Sequence, residues 1–86
     1  MDHLHYQFNM KVNSIIEVVL DKRANVLLLD AANYSHYRAG RPFNSQGGMA
    51  KVSPVHVGAP HAGRWHLVID RGDRVGAVTA TARLVT

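Results

Sequence analysis

The chain holds 86 residues, of which 47% are hydrophobic and none is cysteine, with a formal net charge of +4. This length makes one domain with a thin core, and the apolar fraction argues against disorder. The absence of thiols excludes a disulfide scaffold, a cysteine nucleophile and thiolate metal ligands.

Met1-Asp2-His3-Leu4-His5-Tyr6 has no apolar run and no small-residue cleavage site, so no signal peptide is expected and the cytoplasm is the expected location. The longest apolar runs, Val26–Leu29 and Leu67–Ile69, are far too short to span a membrane. The basic residues are scattered from Lys11 to Arg83. Their excess favours anionic partners weakly, and no block of them resembles a nucleic-acid-binding arm.

Leu4, Tyr6, Phe8 and Met10 alternate with His3, His5, Gln7 and Asn9, which predicts a half-buried strand. After the turn Lys11-Val12-Asn13, Ile15–Leu20 reads as a second strand, with Ile16, Val18 and Leu20 on the core side. Asp21–Asn25 is a polar turn, and Val26–Leu29 is apolar on both faces, as a strand inside a sandwich should be. The two strands read as a hairpin.

Asp30–Gly40 has room for one or two helical turns, with Asp30 as N-cap and Gly40 as the left-handed terminator. Arg41–Gly48 is a loop or short edge strand, and Pro54 makes Lys51–Ala59 an edge strand or bulge. Gly63–Asp70 is the expected central strand. It carries the only Trp, and Trp65, Leu67 and Ile69 share one face while Arg64, His66 and Asp70 share the other. Arg71-Gly72-Asp73-Arg74 reads as a hairpin turn onto Val75–Val85, where Val78, Ala80, Ala82 and Leu84 face in. About six or seven strands with closely spaced turn signals predict an all-β fold, a small jelly-roll-like sandwich over residues 1–86 with one helical turn near 31–39.

The order of features is Asn25-Val26-Leu27-Leu28-Leu29-Asp30, then Asn33-Tyr34-x-x-Tyr37-x-x-Gly40, then Gly47-Gly48, then Pro60-x-x-Gly63-x-Trp65-His66-Leu67-Val68-Ile69-Asp70. It resembles a small family of uncharacterised bacterial domains, found alone and in some proteins fused to TIR (Toll/interleukin-1 receptor-like) domains. The likeness runs from about Tyr6 to the end. More distantly, the pattern is similar to the jelly-roll sandwiches of GOLD and pre-peptidase C-terminal type. The resemblance implies a compact β-sandwich and a non-catalytic module, and it carries no activity or residue role to transfer.

Asn33–Gly48 gathers the expected ligand-binding residues Tyr34, His36, Tyr37, Arg38, Arg41 and Gln46, because Arg with Tyr grips anions and stacks on rings. The competing reading makes Tyr34, Tyr37 and Phe43 a hydrophobic lid. His3 and His5 would project from one strand face, and with His61 or His66 could complete a zinc, nickel or copper site, although nothing fixes a third ligand. Asp30 and Asp70 both end apolar strands and could converge as paired carboxylates, or else serve as turn caps. Arg71-Gly72-Asp73 is a cell-attachment tripeptide by letters, read here as a turn.

The leading expectation is a non-enzymatic sensor or adaptor. It would bind an anionic or ring-containing small ligand or a protein partner, without catalytic residues, metal or cofactor. Exposed strands around Pro54 would support a homodimer. The rivals are a small His-dependent metalloprotein or enzyme, and a single-stranded nucleic-acid binder working through Arg and Tyr.

Overall fold

The computed structural model describes residues 3–71 and 78–86. Among these residues it forms a β-sandwich with one helix. In chain order the elements are β1 (Leu4–Met10), β2 (Ile15–Leu20), β3 (Ala24–Leu29), α1 (Ala31–Arg38), β4 (Gln46–Ala50), β5 (Val55–Gly58), β6 (Gly63–Asp70) and β7 (Ala80–Leu84). One sheet has the order β1-β6-β3-β4 and the other β5-β2-β7, and every pairing is antiparallel. Consecutive strands change sheet at every step except β3 to β4, which gives the jelly-roll-like character.

The period-two pattern decides which side chains fill the sandwich. Ile16 and Val18 from one sheet meet Val26, Leu28, Trp65, Leu67 and Ile69 from the other. Leu4, Tyr6 and Phe8 of β1 pack against the margin of this core. The Trp65 strand is central, flanked by β1 and β3, and Phe8 lies opposite Trp65. The Trp65 indole N–H donates to the His61 carbonyl at 3.0 Å, which satisfies the one polar atom that the ring brings inside.

Two expected hairpins do not form. β2 and β3 lie in different sheets, and the chain crosses between them through Asp21, Lys22 and Arg23. The reason lies in their outer faces. β2 shows Glu17 to solvent, where it meets His56 and Arg83 of its neighbours β5 and β7. β3 carries Leu27 and Leu29 on its outer face and needs a helix over them. β6 and β7 likewise belong to different sheets, so β7 pairs with β2 rather than β6. The turn expected at Arg71-Gly72-Asp73-Arg74 falls, after Arg71, outside the described residues. Leu84, expected inside, is 45% exposed, because β7 is a sheet edge and the facing sheet gives its end little cover.

The edge positions expected for the Pro54 segment and the Gly47-Gly48 segment are observed, in β5 and β4. β3 starts at Ala24, two residues earlier than the polar turn suggested.

Candidate functional site

α1 lies on the outer face of the four-stranded sheet. Its start is fixed by Asp30, whose side chain accepts the Asn33 N–H at 2.9 Å. Its end is a Schellman motif: the Arg41 N–H donates to the His36 carbonyl at 2.9 Å and the Gly40 N–H to that of Tyr37 at 3.2 Å. Gly40 takes φ +73°, which a Cβ would strain. Asn33 also accepts the Asn44 N–H at 2.9 Å, so the loop after the helix is tied back to its first turn.

Tyr34 and Tyr37, three apart and therefore on one helix face, pack on Leu27, Leu29 and Val68. Below them the sheet presents His5 from β1 and His66 and Asp70 from β6. His5 lies diagonal to His66 across the ladder, and their Nε2 and Nδ1 atoms are 2.8 Å apart. Their ring centroids are 5.0 Å apart with planes 16° from parallel, so the two imidazoles lie edge to edge and share one proton between the facing nitrogens. Tyr34 covers both, with centroids 4.3 Å from His5 and 4.5 Å from His66. The Arg38 guanidinium in turn sits 5.8 Å from the Tyr34 ring centroid.

Asp70 is buried at 4% exposure. It accepts the Tyr37 hydroxyl at 2.5 Å and the Asn25 side-chain amide at 3.3 Å. Burial, then the Asp70 carboxylate, push the Tyr37 phenol well above its ordinary range, so it stays a neutral donor.

Beside this cluster opens a groove of about 730 Å³. Asn25, Leu27 and Asp70 come to it from the sheet, Tyr37 and Arg38 from α1, and Gly40, Arg41 and Phe43 from the following loop, with His3 at the start of β1. Phe43 meets Tyr37 edge to face at 5.4 Å and 84°. A shallower recess on the other side of the helix is lined by Tyr34, Arg38 and His66 among others, so Arg38 borders both.

Of the residues expected from the loop, Tyr37, Arg38 and Arg41 line the groove and Tyr34 closes the aromatic cluster beside it. His36 is exposed on the side of α1 turned away from the sheet. Gln46 is exposed at the start of β4, paired with Leu28, and does not line the groove. Asn25 and Leu27 line it without having drawn attention in the sequence. Their only signal is position, on the outer face of a strand apolar on both sides.

His66 joins His3 and His5, whereas His61 lies against Trp65 with centroids 4.8 Å apart. Among the described residues no three His, Asp or Glu side chains converge as a metal site would require. The paired-carboxylate arrangement is overturned. β3 and β6 are antiparallel neighbours, so Asp30, just past Leu29 and near His66 in register, is at the opposite end of the sheet from Asp70. Asp30 is a helix cap, as one of the two readings had it.

The histidine pair predicts a pH dependence. Partial burial lowers the His5 value below 6.5, helped by His66, His3 and Arg38; burial and Arg64 lower that of His66, against an opposing pull from Asp30. The unfolded chain therefore takes up these protons first as pH falls. The stability contributed by the neutral pair is complete above the unfolded value of 6.5 and is lost as pH drops through the folded values. Thermal unfolding followed from about pH 8 to about pH 5 should show the midpoint falling below the unfolded histidine value, less steeply in His66→Gln. Equal slopes for the two proteins would rule out the pair as the source.

Neither a curated protein nor a solved structure matches the chain. The family described as a domain of unknown function (DUF1883) matches it over residues 1–86, and the chain belongs to that family.

Proposed function

We propose that the domain is a non-enzymatic binding module whose groove beneath α1 takes a small anionic, ring-bearing ligand. The supporting observation is the composition of that groove. Two guanidiniums, Arg38 and Arg41, stand beside the aromatic rings of Tyr37 and Phe43, over a floor of Leu27 with the polar groups of Asn25 and Asp70. The volume falls within the range of about 300–1,000 Å³ usual for small-molecule sites, and apolar walls with a few placed polar groups are the usual makeup. The rings supply stacking area, the guanidiniums hold an anionic group, and the Asn25 amide, held by Asp70, helps set orientation.

This reading makes the module a sensor: ligand seated against α1 would be reported to whatever is joined to or docked on the domain. In proteins that carry such a module beside a TIR domain, as the resemblance implies, it would act as the ligand-reading half in the cytoplasm. A metal-dependent role for His3, His5 and His66 has less support, since the facing nitrogens of His5 and His66 are engaged with each other. A single-stranded nucleic-acid platform also has less support, because Tyr34 is stacked on His5 and His66 instead of standing open to bases.

The test is thermal unfolding of the untagged protein against nucleotides, sugars, zinc, nickel and short single strands. Ligand at 100 times its dissociation constant adds about 2.7 kcal/mol to the stability of the folded state. An anionic ring compound is expected to raise the midpoint, and Arg38→Ala or Arg41→Ala to weaken its binding by about tenfold or more, the loss of one charge-assisted hydrogen bond. A shift that survives the double substitution would remove the groove as the site. A shift with zinc or nickel alone would move the function to the histidines.

A further inference from the structure

Among the described residues, the four strand edges differ in how they are protected. β4 is short, contains Gly47 and Gly48, and lies against β5. β5 has four residues and follows Pro54. β7 carries Arg83, whose guanidinium binds Glu17. Short edges, prolines, irregular backbone and charge are the devices by which sheets avoid pairing with other chains.

β1 has none of them. It runs for seven residues, Leu4 to Met10, and pairs with β6 in unbroken register from Leu4 opposite Ile69 to Met10 opposite Gly63. It contains no proline, glycine, lysine, arginine or carboxylate. Its one titratable group on the outer face, His5, is neutral at pH 7 because its value lies below 6.5. Among the described residues nothing pairs with its far side, where alternate residues present N–H and C=O groups along the whole strand.

We propose that β1 is the contact of a homodimer, in which two copies pair antiparallel about a two-fold axis at Gln7 and join their four-stranded sheets into one of eight. The occupant is a second copy because the strand is complementary to itself. A two-fold axis normal to the sheet keeps each face on its own side. Centred on Gln7, it sets Leu4 against Met10, Tyr6 against Phe8 and His5 against Asn9, so that apolar meets apolar toward the core and polar meets polar outside. This centre alone uses all seven residues, and no like charges face each other across it. The contact is isologous and closed, so it leaves no free edge at β1 for further growth.

The chain has no cysteine, which makes the register directly readable. In Gln7→Cys the two introduced thiols face each other with Cα atoms about 4.5–5.5 Å apart, within disulfide range. In His5→Cys the corresponding thiols are offset by four residues, about 13 Å, and cannot bond. The expected results are twice the chain mass by light scattering, a covalent dimer from Gln7→Cys and not from His5→Cys under mild oxidation, and monomer from Gln7→Lys with unchanged circular dichroism. Gln7 is exposed, so Gln7→Cys and Gln7→Lys leave the core intact. A wild-type monomer at all concentrations up to millimolar overturns the proposal. So does a dimer that survives Gln7→Lys, or that crosslinks equally well at positions 5 and 7. Wild-type monomer that adds an extended peptide along β1 would assign the edge to a different protein and overturn it equally.

Discussion

Replacing Trp65 by alanine is expected to remove about 3–5 kcal/mol of stability, the usual loss for a large buried aromatic. Trp65 is 4% exposed at the centre of the sandwich, opposite Phe8 on β1 and surrounded by residues of both sheets. It shares one buried cluster with Met10, Ile16 and Leu67, which close-packed surroundings let relax only partly into the space an alanine would leave. A domain this small has only a thin reserve, at the lower end of about 5–15 kcal/mol. The unfolding midpoint should fall by roughly 15–30 °C. Trp65→Phe keeps most of the packing and loses only the indole donor to His61, so it should cost far less. A midpoint in Trp65→Ala within a few degrees of wild type would show that the core is not organised around this strand. The substitution also bears on function, since the same strand turns His66 and Asp70 toward α1 on its other face. Groove binding lost in Trp65→Ala would therefore report unfolding, and the arginine substitutions are the ones that isolate the site.

The Trp65 strand was legible because its evidence is local. Alternation, a bulky residue and turn signals at both ends are all contained within Pro60 to Asp73. The same holds for β1, and for α1 between its Asp30 cap and Gly40 stop. Pairing is not local. Ile15–Leu20 and Val26–Leu29 are separated by a turn-like segment, and nothing in those residues says that β2 will find β5 and β7 while β3 finds β4 and β6. The only hint was that Val26–Leu29 is apolar on both faces while Glu17 marks one face of β2 as polar. The candidate site follows the same rule. Tyr37, Arg38 and Arg41 could be picked out as one basic-aromatic loop, yet the groups facing them come from far along the chain. His5 and His66 are separated by 61 positions and Tyr37 and Asp70 by 33. Asp30 and Asp70 looked equivalent as strand ends, and the antiparallel register of β3 and β6 sends them to opposite ends of the sheet.

Gly47→Ala is expected to destabilise the domain by about 3 kcal/mol or more, out of proportion to the methyl group added. Gly47 has φ +93°, and an added Cβ would lie 2.3 Å from the backbone oxygen of Val26 and 3.2 Å from Val57 of β5. A flexible side chain could swing away, but a main-chain oxygen in a strand ladder cannot move without shifting the strand. β3 would have to separate from β4, and β3 is the strand that brings Asn25 and Leu27 to the groove and leads into the Asp30 cap. Gly40→Ala is the informative comparison. It also has positive φ, but an added Cβ meets nothing within 4 Å, so its cost should be limited to backbone strain of about 1–2 kcal/mol. The order Gly47→Ala worse than Gly40→Ala, measured by denaturant unfolding, would show that the close approach of β4 to β3 carries the effect. Equal losses at the two sites would mean that φ alone matters and that β4 has room to move. The two substitutions also separate the ends of the loop that holds Arg41 and Phe43. Gly40→Ala disturbs the helix stop directly before Arg41, so it should weaken groove binding while the sandwich persists, whereas Gly47→Ala should lose binding and fold together.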